Sequence, residues 1–305
     1  MRVTLNQSNS ASIHFYKKIP GKWILAGEHT VLRGGDALVF PLNSQYLEIF
    51  YYKTDTPFEI RLEGVNSDEI SEIVHSVFTA AFTKLKIARS SIPGTVRLKS
   101  NILFGAGMGA SATLCVAVTE FFNFFGYLKL SEMYEFAREL ENMFHGESSG
   151  VDIAVVLTRK PLLFSREKGP REIVNVQLPR LYLSHTGEKG ITKDCVQKVK
   201  QLWTDDPKFA ESIDLKMKAA VLEFSQVLTE PHSPKWIDSL KKANSCFYDW
   251  NLVSPAIISH EETLMASGAK AVKLTGSGAG GFMLSLWENS PPANLPFNMI
   301  SCTDN

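Results

Sequence analysis

Four short segments carry residues whose types and spacing could do chemistry. In "GAGMGAS", residues 105–111, three glycines stand within five positions just ahead of an apolar run. Glycines let backbone N–H groups approach a ligand closely. A helix starting here would aim its open N–H groups and partial positive charge at an anion such as phosphate. The spacing is neither that of G-x-x-x-x-G-K-[ST] nor that of G-x-G-x-x-G, and a plain turn with Ser111 as helix cap explains the same letters. "PGKWILAGEHTVLRGG", residues 20–35, sets Lys22, Glu28 and His29 around a short apolar strand after a turn at Pro20-Gly21; a solvated surface lysine is the ordinary alternative. "ELENMFHGESSGVD", residues 139–152, offers two carboxylates, Glu141 and Asp152, either as site acids or as a helix-surface residue and a helix cap. "KLTGSGAGG", residues 273–281, is a strand and a glycine-rich turn, suited to a phosphate neighbour or to an ordinary hairpin.

The intervening patterns supply the elements that must position these groups. Residues 45–53, 58–63 and 94–102 are rich in β-branched and aromatic residues and read as strands. Residues 68–86 place Ile70, Ile73, Val74, Val77 and Ala81 at helical spacing. A helix follows the first glycine segment, with Gly126 as its stop, and another spans 131–146 with Ser131 as cap. On that second helix Tyr134, Arg138, Glu141 and His145 form a polar stripe leading to Asp152. The pattern lapses over 165–180, which reads as a domain boundary. Beyond it come a strand "LYLSH", helices near 191–202, 212–229, 235–249 and 254–268, and strands at 271–276 and 281–287. Strands separated by helices in both halves indicate α+β or α/β layers.

Composition narrows the function class. The chain has 305 residues, enough for two domains at roughly 150 residues each. With 32 Lys+Arg against 32 Asp+Glu it lacks the basic excess of a nucleic-acid or membrane-surface binder. The four cysteines, Cys115, Cys195, Cys246 and Cys302, are widely spaced and form no C-x-x-C, so a reduced, cytoplasmic setting is expected, with neither a disulfide scaffold nor a zinc site. Residues 1–18 carry no signal-peptide pattern. The most apolar stretch, Ser111 to Leu128, contains Glu120 and reads as a buried helix rather than a membrane span.

In this order, the four segments resemble the GHMP family of small-molecule kinases. "PGKWILAGEHTVLRGG" is similar to its first motif, "GAGMGASAT" to its phosphate loop and "KLTGSGAGG" to its third motif, and the resemblance runs from residue 18 to about 285. Within the family the chain is most similar to the mevalonate kinases, through "HGxxSGVD", "TGEKGITKDCVQKV" and "NLVSPAIISHEETLMASGAKAVKLTGSGAGG". It departs from their commonest pattern at Met108 and Ala110, where Leu and Ser are usual, and at Ser148, where proline is usual.

The resemblance implies an α+β, two-domain GHMP-kinase architecture. An N-terminal domain similar to ribosomal protein S5 domain 2 would span 1–175, and a ferredoxin-like C-terminal domain 176–305, with ATP and acceptor in the cleft between. It implies ATP-dependent phosphorylation of an alcohol, foremost the 5-hydroxyl of mevalonate. A phosphomevalonate kinase, a sugar 1-kinase or a catalytically silent nucleotide sensor are the alternatives. Asp152 and Lys22 match the catalytic pair. Gly105, Ala106, Gly107, Met108, Gly109, Ala110 and Ser111 match the phosphate loop, and Ser111 and Glu141 the Mg2+ ligands. Glu28, His29, Thr275, Gly276 and Ser277 match acceptor-side positions. Val31, Leu32, Tyr46 and Ile191 are further candidates for the acceptor pocket. No nucleic acid or membrane partner is implied, and a homodimer is compatible with the family.

Overall fold

The structure, a computed structural model, describes residues 12–64, 67–145 and 148–303. The strand β1 (Ile13–Ala26) pairs antiparallel with β2 (Asp36–Lys53). Side chains alternate across β1, as strand geometry requires. Trp23 and Leu25 enter one core and Ile24 the other. Lys22, two residues before Ile24, shares the Ile24 side. Pro20-Gly21, expected as a turn, lies inside β1. The register slips there, Pro20 facing Tyr46 and Gly21 facing Leu42. Such an irregularity tolerates a residue without an N–H. The N–H of Lys22 leaves the ladder and donates to the carbonyl of Met108 at 3.0 Å. The kink therefore ties the lysine to the glycine segment.

The strands β3 (Glu59–Gly64) and β4 (Gly94–Ser100) are parallel and are joined across the helix α1 (Ser67–Leu85). With β5 (Leu162–Ser165) and β6 (Gly169–Glu172) they complete a six-stranded sheet in the order β3-β4-β2-β5-β6, β1 lying on β2. The helices α2 (Ala110–Phe124), α3 (Met133–His145) and α4 (Val151–Thr158) cover one face. Their apolar sides meet Val77, Phe78, Ile49 and Val96 in a common core. Gly146, counted in the expected helix 131–146, lies outside the described residues.

The second sheet is antiparallel. Its order is β10 (Ile300–Ser301), β7 (Arg180–His185), β9 (Phe282–Trp287), β8 (Ala271–Thr275). It packs with α5 (Thr192–Asp205), α6 (Pro207–Val227), α7 (Lys235–Asp249) and α8 (Pro255–Ala266). The first sheet ends at Glu172 and the second begins at Arg180. The lapse at 165–180 thus holds one more short strand, β6, than its sequence suggests.

The two layers are not separate bodies joined by a hinge of solvent. Trp23 stacks on Phe40 at 4.7 Å between ring centroids. Both belong to the core that contains Leu183, Phe247 and Phe282. Each such buried aromatic contributes about 2–3 kcal/mol by area alone. This shared core sets the two glycine-rich turns face to face.

Candidate active site

The glycine segment forms an open turn that feeds α2. The helix begins at Ala110, and its N-cap is Gly109, with φ 75° and no side-chain cap. Ser111 is therefore not the cap that a plain turn would use. It sits in the first helical turn, on the wall of a cavity of about 190 Å³. First-turn N–H groups without a capping side chain are donors for an anion. The glycine at 109 is required sterically. A Cβ there would lie 2.7 Å from Cγ of Lys22, on a left-handed backbone. Opposite, the β8–β9 turn closes on the loop: a Cβ at Gly281 would lie 2.7 Å from the carbonyl of Ala106. Gly105, Gly107, Gly109, Ala110 and Ser111 line the cavity. Ala106 and Met108 instead send their side chains into the core behind the loop.

Across the cavity, Lys22 reaches Asp152. Its Nζ is 3.0 Å from Oδ2, with the lysine side chain 3% exposed and the aspartate 25%. Asp152 stands in the first turn of α4, whose N-cap is Gly150, so it is not the capping residue of the ordinary reading. Its Oδ1 is buried without a hydrogen-bond partner. Glu141 comes from α3 and lines the same cavity. Burial first, and the charge of Asp152 second, push the Glu141 carboxyl up to about 8, against the pull of Ser148 and Lys22. A buried carboxyl raised by its burial and by a neighbouring carboxylate marks a place where a divalent cation would relieve charge. Among the described residues no group of three or more His, Cys, Asp or Glu could hold a metal on its own. One hydroxyl and one carboxylate completed by phosphate oxygens suit Mg2+, which keeps few protein ligands. Ser111 and Glu141 fit that pattern.

The acceptor-side residues divide. Glu28 is 3% exposed and lines the cavity. Its Oε1 accepts from Nζ of Lys273 at 2.5 Å, while Oε2 is buried without a partner. Lys273 is wholly buried in β8; its Nζ also donates to the carbonyl of Leu274 and lies 5.1 Å from the ring centroid of Phe247. Burial pushes Glu28 above and Lys273 below their ordinary ranges, and each charge opposes the other's shift. His29 adopts φ 59°, an unusual backbone for a residue with a Cβ. Its ring meets Trp250 edge-on at 4.9 Å, and Nε2 lies 2.9 Å from the Ser277 carbonyl. A carbonyl only accepts, so Nε2 carries the proton. Burial pushes the imidazole down to about 4, so His29 is neutral near pH 7.

Gly276 and Ser277 line the cavity, but Thr275 does not. Its hydroxyl donates to the Ile24 carbonyl at 2.8 Å and accepts from the Ile24 N–H at 3.2 Å. These two bonds to β1 join the two sheets, and Thr275 stands behind the lining residues Gly276 and Ser277. Val31 and Leu32 line the cavity. Tyr46 instead lies under Nζ of Lys18, 3.7 Å from its ring centroid, and Ile191 is 62% exposed beside the lining residue Thr192. Sequence reasoning missed Lys273, although a lysine inside the apolar strand "AVKLT" must find a buried counter-charge. It also missed the bidentate pair of Arg33 with Asp214, at 2.8 and 2.6 Å, which pins the Glu28–His29 segment to α6. It missed Thr192, at the first turn of α5, a helix start that no side chain caps.

Comparison with known proteins agrees with this geometry. Residues 73–160 match the family described as "GHMP kinases N terminal domain". A mevalonate kinase from Thermococcus sibiricus is 27% identical over 294 residues, covering 88% of this chain and 87% of its own. One from Archaeoglobus fulgidus is 27% identical over 278 residues, covering 90% and 92%. Among solved structures, L. major mevalonate kinase in complex with R-mevalonate shares the fold, with a TM-score of 0.77 at 21% identity over 94% of this chain and 91% of that one. With its ordered motifs, its N-terminal domain match over 73–160 and relatives that it spans almost end to end, the chain is similar to the GHMP kinases.

Proposed function

We propose that the protein is an ATP-dependent kinase that phosphorylates the 5-hydroxyl of mevalonate. The observation that carries the reading is the Lys22–Asp152 pair facing the uncapped start of α2 across one cavity. The acceptor is assigned from the named activity of the relatives. The site adds its own support. The uncapped first turn of α5 suits the carboxylate end of a hydroxy acid. Val31 and Leu32 offer apolar contact, and Glu28 Oε2 is an open acceptor for a hydroxyl.

Phosphoryl transfer depends mostly on positioning and charge neutralisation. Asp152 accepts the proton of the acceptor hydroxyl, whose oxygen bonds to the γ-phosphorus as the bond to the β-phosphate oxygen breaks and ADP leaves. Lys22, fixed by its backbone bond to Met108, holds Asp152 and favours the developing alkoxide. The backbone from Gly105 to Ser111 cradles the triphosphate. Ser111 and Glu141 would hold Mg2+, which offsets the charge of the β- and γ-phosphates. The β8–β9 turn, with Gly276 and Ser277, excludes water from above. Domains of 1–175 and 176–305 meeting at this cleft, and a cytoplasmic setting consistent with four buried cysteine thiols, belong to the same proposal. Among the described residues no helix is long and apolar enough to cross a membrane.

A coupled ADP-release assay with MgATP and a panel of mevalonate, phosphomevalonate, galactose and homoserine tests the reading. Turnover with mevalonate alone is expected. Turnover with another acceptor alone would overturn the substrate and keep the chemistry. ATP binding without turnover on any acceptor would favour a silent sensor.

A further inference from the structure

Ser148 occupies the position at which the resembling pattern has proline, and it makes three hydrogen bonds of which proline could make none. Its N–H donates to Oδ1 of Asn142 on α3 at 2.8 Å. Its hydroxyl donates to Oε2 of Glu141, also on α3. The same Oγ accepts from the N–H of Gly150, the N-cap of α4, at 3.0 Å. Ser148 is 5% exposed and Glu141 2%. A hydroxyl has one proton, and here it is spent on the carboxylate, because Gly150 N–H can only donate. The serine thus couples the helix that carries Glu141 to the helix start that carries Asp152, two residues on. A buried hydrogen bond of this kind fixes the rotamer of the carboxyl group and so the direction of its second oxygen.

We propose that Ser148 is a positioning residue for the metal carboxylate: it ties Oε2 of Glu141 and presents Oε1 in one orientation to the Mg2+ that accompanies the nucleotide. This rests on the reading of Glu141 as a metal ligand. The chain has exchanged the rigidity of a proline for a hydrogen-bonded clasp between α3 and α4. Ser148 lines the same cavity, and its effect on the metal passes through Glu141.

The test is the Mg2+ dependence of ADP binding, read by fluorescence of a labelled ADP in an Mg2+ titration and in EDTA. Ser148→Ala should raise the Mg2+ concentration for half-maximal binding by about tenfold, the scale of a lost supporting bond to a ligand. Affinity in EDTA should stay unchanged, and Ser148→Thr, which keeps the hydroxyl, should return the titration to within about twofold of the original. Should Ser148→Ala fold poorly, Ser148→Cys supplies the same weakening with the side-chain volume kept. Unchanged Mg2+ dependence in both Ser148→Ala and Ser148→Cys would overturn the proposal. Glu141→Gln, measured in parallel, separates the two claims. If it shifts the Mg2+ titration and the Ser148 variants do not, only the positioning role fails. If Glu141→Gln also leaves it unmoved, the metal-ligand reading fails and takes the positioning role with it.

Discussion

Replacing Lys273 with methionine removes one charge from the interior and keeps most of the side chain's shape. Lys273 is 0% exposed, so the loss is not screened by water. The partner left behind is Glu28, 3% exposed, whose Oε2 already lacks a hydrogen-bond partner. Removing the ammonium takes away the 2.5 Å contact to Oε1 as well. Breaking a buried pair from one side costs about 3–5 kcal/mol, because the remaining charge must be neutralised or hydrated. Changing both partners should be far milder. Glu28→Gln with Lys273→Met leaves an imperfectly satisfied amide, a cost of about 1–2 kcal/mol. The double variant should therefore be more stable than Lys273→Met alone by about 2 kcal/mol. Urea unfolding followed by the fluorescence of the buried Trp23, Trp236 and Trp250 reads this directly. The double variant should also show a raised KM for the acceptor, since the oxygen offered to its hydroxyl has become an amide. A loss below about 1 kcal/mol in Lys273→Met, or a double variant as unstable as the sum of the singles, would refute the buried pair as the support of Glu28.

Two further outcomes follow from the same geometry. Gly109→Ala should weaken nucleotide binding by at least about tenfold, since a Cβ must displace the Lys22 stem from a left-handed backbone position that costs about 1–2 kcal/mol by itself; unchanged binding of the labelled ADP would contradict it. His29 should make stability fall with acid. Its folded pKa is about 4 against an ordinary 6.5, so between those values the unfolded chain binds the extra proton, and stability is full above pH 6.5 and declines as pH falls to about 4. The decline is about 3 kcal/mol, and His29→Asn should remove that part of the slope in urea unfolding at stepped pH.

Much of this was legible in the residues because local rules were obeyed. The glycine segment before an apolar helix, the strand pair around "KWILA" and the β8–β9 hairpin followed their patterns. Other features depend on contacts that no local pattern encodes. Pro20-Gly21 has turn composition, yet its backbone continues as a strand because the Met108 carbonyl replaces a ladder partner. Thr275 sits in the right motif, yet its hydroxyl is hydrogen-bonded to the backbone of Ile24, 251 residues away. Lys273 and Glu28 meet across 245 residues, and only the cost of an unpaired buried charge could have linked them in advance. One start signal was local and was passed over. Asp206-Pro207 caps α6, with Oδ1 accepting from the Phe209 N–H at 3.0 Å, five residues before the helix expected at 212.

The central claim is that Asp152, held by Lys22, takes the proton of mevalonate's primary hydroxyl as it receives the γ-phosphoryl group. A single-turnover measurement of phosphoryl transfer from MgATP to mevalonate, comparing the unaltered protein with Asp152→Asn at saturating nucleotide, tests it most directly. The account predicts a phosphomonoester on the primary hydroxyl with the unaltered protein. For Asp152→Asn it predicts a rate lower by about a hundredfold or more with ADP affinity retained. Transfer by Asp152→Asn at close to the original rate would contradict it.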